Sequence, residues 1–116
     1  MKISTRMIGN VAVVSLSGKL MGGPPTSDDI KNEIYRLLDQ GVKKIVMDLE
    51  KVTRMNSTGL GILISCLTSV KNREGEFCLA AINENMQSIM VMTKLNTIFQ
   101  IYATAEGAAK ALETNS

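Results

Sequence analysis

The chain has 116 residues, which is enough for one domain with a modest hydrophobic core. Hydrophobic residues make up 45% of the sequence and charged residues 21%, a balance that is ordinary for a soluble globular protein. The formal net charge of +2 is too small to indicate a nucleic-acid or membrane partner. No apolar run reaches the roughly 18 residues of a membrane span and no signal-peptide core follows the first two residues. We therefore expect a cytoplasmic protein that forms a single domain over residues 1–116.

The first part of the chain is predicted to form a β-hairpin followed by a loop. Residues 2–7 alternate loosely between apolar and polar side chains, as an edge strand does, and residues 11–16 form a second, largely apolar run. Gly9-Asn10 between them is a turn signal. Residues 18–25 contain a glycine pair and a proline pair, which exclude regular structure and indicate a loop that leads to a helix.

A helix and a buried strand are predicted next. Thr26 or Ser27 can cap the helix, and acidic residues at positions 28 and 29 suit the positive end of its dipole. Gly41 is typical of the residue that follows a helix end. The apolar stripe of this helix comprises Ile30, Ile34, Leu37 and Leu38. Residues 44–49 form a largely apolar run that indicates a buried strand.

The remainder alternates between helices and strands. A helical pattern runs from about residue 58 to 72, Gly75 breaks the chain, and residues 77–81 are predicted as a strand. Asn85 can cap a short helix that ends near residue 93, residues 98–102 form a short strand, and Thr104 opens a final helix. The order ββ-α-β-α-β-α-β-α predicts an α/β fold with a mixed, mainly parallel sheet of about five strands and about four helices. In such sheets the functional site lies beyond the carboxyl ends of the strands.

Residues 52–61 contain the strongest local departure from helix preference. Asn56 and Ser57 lie at the strand-to-helix junction, where an N-cap belongs. Gly59 and Gly61 then fall in the first turns of the helix, where each costs about 1 kcal/mol relative to alanine. A locally broken rule often marks function. Here the missing side chains would let a large partner reach the Ser57 hydroxyl.

The helix over residues 58–72 is predicted to have two faces. The core-facing stripe comprises Leu60, Leu63, Ile64, Leu67 and Val70, flanked by Gly59 and Cys66. The opposite face comprises Thr58, Gly61, Ser65, Thr68, Ser69 and Asn72, with Ile62 at its edge. Its side chains are small and uncharged, whereas a solvent-facing helix usually carries Lys and Glu. This face is either a polar surface without a role or a docking surface beside Ser57, and the glycines favour docking.

Several classes of site are absent from the sequence. No histidine is present, which removes the commonest general base and metal ligand and every Ser/His/Asp or Cys/His arrangement. Gly59-Leu60-Gly61 is not a dinucleotide fingerprint because Ile64 replaces the third glycine, and no GxxxxGK[ST] loop is present. Cys66 and Cys78 lie at apolar positions, which favours buried thiols over a disulfide or a metal pair. We therefore expect neither an enzyme nor a bound metal or cofactor.

The sequence resembles the STAS domain family, specifically the bacterial anti-sigma factor antagonists. Two segments carry the resemblance: Asp48-Leu49-Glu50-Lys51-Val52 and Met55-Asn56-Ser57-Thr58-Gly59-Leu60-Gly61. Weaker matches are the Gly18-x-Leu20 segment, Leu95 and Ile98-Phe99. The resemblance covers nearly the whole chain and agrees with the fold predicted from the residues.

The resemblance implies a phosphorylation switch in transcription regulation. Family members bind an anti-sigma factor that is also a serine kinase using ATP and Mg²⁺, and this capture frees the sigma factor. Phosphorylation of the serine at the helix start dissociates the complex, and a metal-dependent serine phosphatase restores it. The family's phosphorylated serine falls on Ser57. The implied partner contacts, together with those of the small-residue face, are Met21, Gly22, Gly23, Asn56, Ser57, Thr58, Gly59, Gly61, Ile62 and Ser65.

Two positions depart from the family pattern, and one alternative function stays open. The family usually has Asp before the serine, where this chain has Asn56, and an acidic residue after Gly-x-Leu, where this chain has Met21. Asn caps a helix as well as Asp does, so the fold is unaffected. The alternative is a STAS scaffold or transport-regulatory domain that is never phosphorylated. Ser57 is the feature that favours the switch, since a scaffold has no need to keep it.

Overall fold

The computed structural model describes residues 1–21, 23 and 26–114. Strands and helices follow one another as β1 (Lys2–Ile8), β2 (Val11–Leu20), α1 (Thr26–Asp39), β3 (Lys44–Met55), α2 (Ser57–Asn72), β4 (Glu76–Ala80), α3 (Glu84–Met92), a 3₁₀ turn (Leu95–Thr97), β5 (Gln100–Tyr102) and α4 (Ala105–Thr114). One five-stranded sheet has the spatial order β1-β2-β3-β4-β5. The β1–β2 pair is antiparallel and the other three pairs are parallel. The predicted α/β fold with a mixed, mainly parallel sheet is confirmed.

The two faces of the sheet are covered unequally. Helices α1, α2 and α3 pack on one face, and the larger hydrophobic core lies between them and the strands. Helix α4 alone packs on the other face, where Ala108, Ala109 and Leu112 contact a smaller cluster that includes Val13 and Val46. Small alanine side chains let α4 lie close to the sheet. One helix cannot cover the whole face, so part of it stays open.

Four predicted boundaries are wrong because pairing, capping or a 3₁₀ turn overrides the local pattern. Strand β2 continues through Gly18 to Leu20, and β3 continues to Met55 where a loop was expected, because the two strands hydrogen-bond along this stretch. Asn83 caps α3 in place of Asn85, since the Asn83 side chain accepts a bond from the backbone N–H of Met86 at 2.9 Å. Strand β5 starts only at Gln100 because residues 95–97 form the 3₁₀ turn.

Other predictions hold within the described residues. The stripe of α1 is buried as expected, and Thr104 accepts a hydrogen bond from the Gly107 N–H at 3.0 Å to cap α4. Cys66 and Cys78 are free, buried thiols, as predicted. Among the described helices none is long and apolar enough to cross a membrane. The prolines at 24 and 25 and Gly22 lie outside the described residues, so that part of the predicted loop stays a prediction.

Candidate functional site

The start of α2 is built by a side-chain cap. Asn56 has extended backbone geometry, with φ −114° and ψ −176°, and its Oδ1 accepts a hydrogen bond from the Gly59 N–H at 2.8 Å. Its carbonyl accepts the first helical bond, from the Leu60 N–H at 2.9 Å. This is the geometry that an N-cap asparagine adopts. The cap places Ser57 as the first helical residue, where its side chain is exposed.

The end of β2 lies directly against this helix start. The Asn56 N–H donates to the Leu20 carbonyl at 3.4 Å, and a Cβ placed on Gly59 would lie 1.8 Å from the same oxygen. No side chain fits in that space. Glycine is therefore required at position 59 because the backbone of α2 lies directly against the backbone of β2 at Leu20. Since Met21 directly follows Leu20, the contact also brings Met21 near the start of α2.

Gly61 stands in a different environment. It is exposed, and a Cβ placed on it would meet nothing within 4 Å. Packing therefore does not explain why glycine occupies this position. Ser57, Thr58 and Gly61 are all exposed and small, so no large side chain protrudes from the outer surface of the first turns of α2.

The structure separates the ten predicted contact residues into groups. Met21, Ser57, Thr58 and Gly61 are exposed, and Asn56, Ser65 and Gly23 are half-buried. Gly59 and Ile62 are buried, so neither presents a surface to a partner, which corrects the sequence prediction. Ile62 belongs to the main core because α1 packs beside α2 and widens its buried arc; Ile64 and Leu67 are correspondingly only half-buried. Gly22 lies outside the described residues.

Sequence reasoning missed a contact that positions the site from the other side. The Asn83 Nδ2 group donates to the carbonyls of Val52 and Thr53 at 3.3 and 3.5 Å. Both residues lie near the carboxyl end of β3, shortly before Asn56, so the start of α3 holds the segment that leads into the site. Glu84 beside Asn83, an acidic residue suited to a first helical turn, is the sequence signal that points to this cap.

The chemistry available at this site is that of an exposed hydroxyl group. Within the described residues no group of three or more Cys, Asp and Glu side chains could hold a metal ion. Burial raises the pKa of both Cys66 and Cys78 to about 12, so both thiols stay protonated at neutral pH and are poor nucleophiles. Ser57 instead offers an exposed hydroxyl at a helix N-terminus, a position that accommodates negative charge.

The fold and this helix start define a family. The STAS domain model matches residues 2–108, and the chain belongs to the STAS domain family. The resemblance noted in the sequence is thereby confirmed.

Several relatives of this chain are named anti-sigma factor antagonists. A Thermotoga neapolitana protein with the provisional name anti-sigma factor antagonist is 32% identical over 76 residues, which cover 66% of this chain and 67% of that protein. A Thermotoga maritima structure with the same provisional name has a TM-score of 0.84 at 23% identity and covers 96% of this chain and 94% of that one. The anti-sigma factor antagonist SpoIIAA in its unphosphorylated form has a TM-score of 0.80 at 19% identity and covers 97% of both chains. At these identities the two structural likenesses establish the fold.

Proposed function

We propose that this protein is an anti-sigma factor antagonist that works as a phosphorylation-switched binding module. With Ser57 unmodified it captures an anti-sigma factor that is also a serine kinase, and phosphorylated Ser57 releases that partner. The observation that carries the proposal is the exposed Ser57 hydroxyl on a capped helix start, beside the end of β2 and next to an uncrowded glycine. The names of the Thermotoga relative and of SpoIIAA support it.

The binding surface follows from exposure. We define the docking face as Met21, Ser57, Thr58, Gly61 and Ser65, which are exposed or half-buried. A partner that lies across this face meets small polar side chains and one flexible methionine, which adapts to irregular apolar surfaces. Asn56 and Gly59 support the docking face from beneath, through the cap and the contact with Leu20.

Phosphorylation would act on the complex more than on the domain. A phosphate adds about −1.5 to −2 charges at pH 7. At the start of α2 the free N–H groups and the helix dipole favour an anion by roughly 0.3–1 kcal/mol, so the domain tolerates it. A partner that buries this charge without compensation loses several kcal/mol, and each 1.4 kcal/mol is about tenfold in affinity. Release therefore needs no refolding of the antagonist.

The catalytic steps belong to the partners in this proposal. The anti-sigma factor supplies the ATP- and Mg²⁺-dependent kinase, and a metal-dependent serine phosphatase removes the phosphate. This chain supplies the acceptor hydroxyl and the docking face. SpoIIAA, which shares the fold, has been solved in phosphorylated and unphosphorylated forms, a precedent for carrying phosphate on this architecture.

The test combines mass mapping with partner capture. The full chain is incubated with a serine-kinase anti-sigma factor and ATP, and phosphate is expected on Ser57. Ser57→Ala should bind the kinase and resist modification. Ser57→Asp should bind at least about tenfold more weakly, as expected when a charge is desolvated at the contact, with a near-native melting temperature.

A matched control separates the position of the charge from the charge itself. Gln40→Glu adds a carboxylate to an exposed residue between α1 and the amino end of β3, whereas Ser57 follows the carboxyl end of β3. It should retain binding. Phosphate found only at residues other than Ser57 would refute the switch, and partner capture without any phosphorylation would favour the STAS scaffold alternative.

A further inference from the structure

The sheet face that carries α4 has an open groove at the carboxyl ends of β2 and β3. Val13 and Val46 on this face lie under α4, but two residues further along the same strands the face becomes polar, with Ser15 and Asp48. The uncovered part forms a groove of about 620 Å³ between β1, β2, β3 and the start of α4. Small-molecule sites commonly have volumes of about 300–1,000 Å³.

Strand register aligns two lysines across this groove. Lys2 of β1 pairs with Ser17 of β2, and Ser17 pairs in turn with Lys51 of β3. All three residues line the groove. Because neighbouring strands lie about 4.8 Å apart, the two lysine Cα atoms are separated by roughly 10 Å with the serine hydroxyl between them. The next row, formed by Ser4 and Ser15, adds two further hydroxyls.

An irregularity in the β2–β3 pairing brings Lys51 to this face. Ser15 pairs with Asp48 but Ser17 pairs with Lys51, so β3 contains one extra residue. Such a bulge lets two consecutive residues face the same side, and both Glu50 and Lys51 line the groove. Bulges commonly re-aim side chains beside functional sites.

A second irregularity adds two cations at the rim. Lys19 pairs with Arg54, and the next residues along, Leu20 and Met55, are buried in the core under α1 and α2. Because side chains alternate along a strand, Lys19 and Arg54 point to the α4 side of the sheet. Both are exposed.

The charges of the groove are unequally neutralised. Arg6 forms an ion pair with Glu106 at 2.9 Å. The Asp48 carboxylate accepts bonds from the Ser15 hydroxyl and the Glu50 N–H, both at 3.1 Å. Within the described part of the chain no ion pair includes the remaining charged residues, Lys2, Lys19, Lys51, Arg54 and Glu50. Asp48 keeps its negative charge because both of its partners are neutral donors. Lys2 and Lys51 in the groove and Lys19 and Arg54 at its rim therefore face two carboxylates, Asp48 and Glu50. The excess of two cations favours an anion.

We propose that this groove binds a sugar phosphate. The phosphate lies between the Lys2 and Lys51 ammonium groups and accepts a hydrogen bond from the Ser17 hydroxyl, since hydrogen bonds to ionised groups are the stronger ones. The sugar hydroxyls donate to the carboxylates of Glu50 and Asp48 in the same groove. Cations at one row and carboxylate acceptors beside it match a ligand with an anionic end and a hydroxyl-bearing end. The groove is on the α4 side of the sheet, whereas α2 with Ser57 packs on the other side.

The test is an NMR titration of the full ¹⁵N-labelled chain with ribose 5-phosphate, inorganic phosphate and ribose. Ribose 5-phosphate should shift the amide signals of Ser15, Ser17 and Lys51 in a saturable manner. Inorganic phosphate should bind the same residues more weakly, and ribose should leave them unchanged. Lys51→Gln should weaken ribose 5-phosphate binding about tenfold, the loss expected for one charge-assisted hydrogen bond. Lys71→Gln, an exposed lysine in the last turn of α2, is the matched control and should bind normally.

Three outcomes would overturn this proposal. The first is no shift at millimolar ribose 5-phosphate in a folded chain. The second is a shift confined to Ser57, Thr58 and Gly59, which would place the phosphate at the start of α2. The third comes from a parallel titration with heparin. If heparin shifted the amide signals of the groove residues and ribose 5-phosphate did not, the groove would be a charged surface only. Anti-sigma factor capture reports on the docking face and is independent of each outcome.

Discussion

At the scale of single residues, Gly59 and Gly61 have different physical reasons to be glycine. Gly59 allows the close approach of the Leu20 carbonyl, whereas Gly61 borders open space. Helix propensity disfavours both equally, so the sequence suggested one shared explanation. The structure explains Gly59 by packing and shows that packing within the chain does not require glycine at position 61.

These two glycines give a matched pair of variants. Gly59→Ala should destabilise the fold by about 2 kcal/mol or more, because the new methyl would collide with a backbone oxygen that cannot rotate away. Gly61→Ala should raise the free energy of unfolding by up to about 1 kcal/mol through helix propensity. Urea denaturation of both variants measures the difference. Equal effects of the same sign would contradict the contact between Leu20 and Gly59.

At the scale of elements, the cap of α2 explains how Asn56 can occupy the position at which the family resemblance leads one to expect Asp. A cap requires a side-chain oxygen that accepts from the helix N–H groups, and the Asn56 amide oxygen does so at 2.8 Å from the Gly59 nitrogen. Asn and Asp are equivalent in this role. The difference between them is one negative charge beside Ser57.

Substitutions at Asn56 should separate the cap from the charge. Asn56→Ala should cost about 1 kcal/mol of stability, the usual value of an N-cap. Asn56→Asp should leave the melting temperature unchanged or slightly raised, since the helix dipole favours a carboxylate there. Thermal unfolding followed by circular dichroism measures both variants. A large loss of stability in Asn56→Asp would mean that the amide NH₂ group, too, has a required partner.

At the scale of the whole molecule, a polar contact joins the edge strand to the helical layer. Glu33 of α1 accepts a hydrogen bond from the Thr5 hydroxyl of β1, and Arg36 donates two bonds to the same carboxylate at 2.9 and 2.7 Å. The hydrogen bonds from Arg36 are the main cause that holds the pKa of Glu33 below its ordinary value, against a smaller opposing effect of burial. The carboxylate therefore stabilises the fold in its ionised form.

This contact predicts acid sensitivity with a defined sign. Because the Glu33 pKa is lower in the folded chain than in the unfolded one, its stabilisation is complete above the ordinary pKa of about 4.3 and is lost as the pH falls through the folded-state value. Glu33→Gln should lower stability at pH 7 and reduce the stability difference between pH 7 and pH 3. Urea unfolding at both pH values is the measurement. Glu74→Gln, at an exposed position, is the control and should keep the wild-type difference.

The sequence by itself determined the order of elements, the α/β class and the location of the candidate site. These features follow from local patterns: apolar runs in β2 and β3, the stripe of α1, and the capping residue and glycines at the start of α2. Such patterns are visible in the sequence because each depends on residues a few positions apart. Asn56 and Ser57 could be singled out for this reason.

Only the tertiary structure decided features that depend on residues distant in the sequence. The oxygen that excludes a side chain at Gly59 comes from Leu20, and α1 is what widens the buried arc of α2 to include Ile62. The alignment of Lys2 with Lys51 depends on strand register and on one extra residue in β3. Register and close approach are set by packing between segments, and a one-residue change reverses which face a side chain occupies. No local pattern encodes that choice.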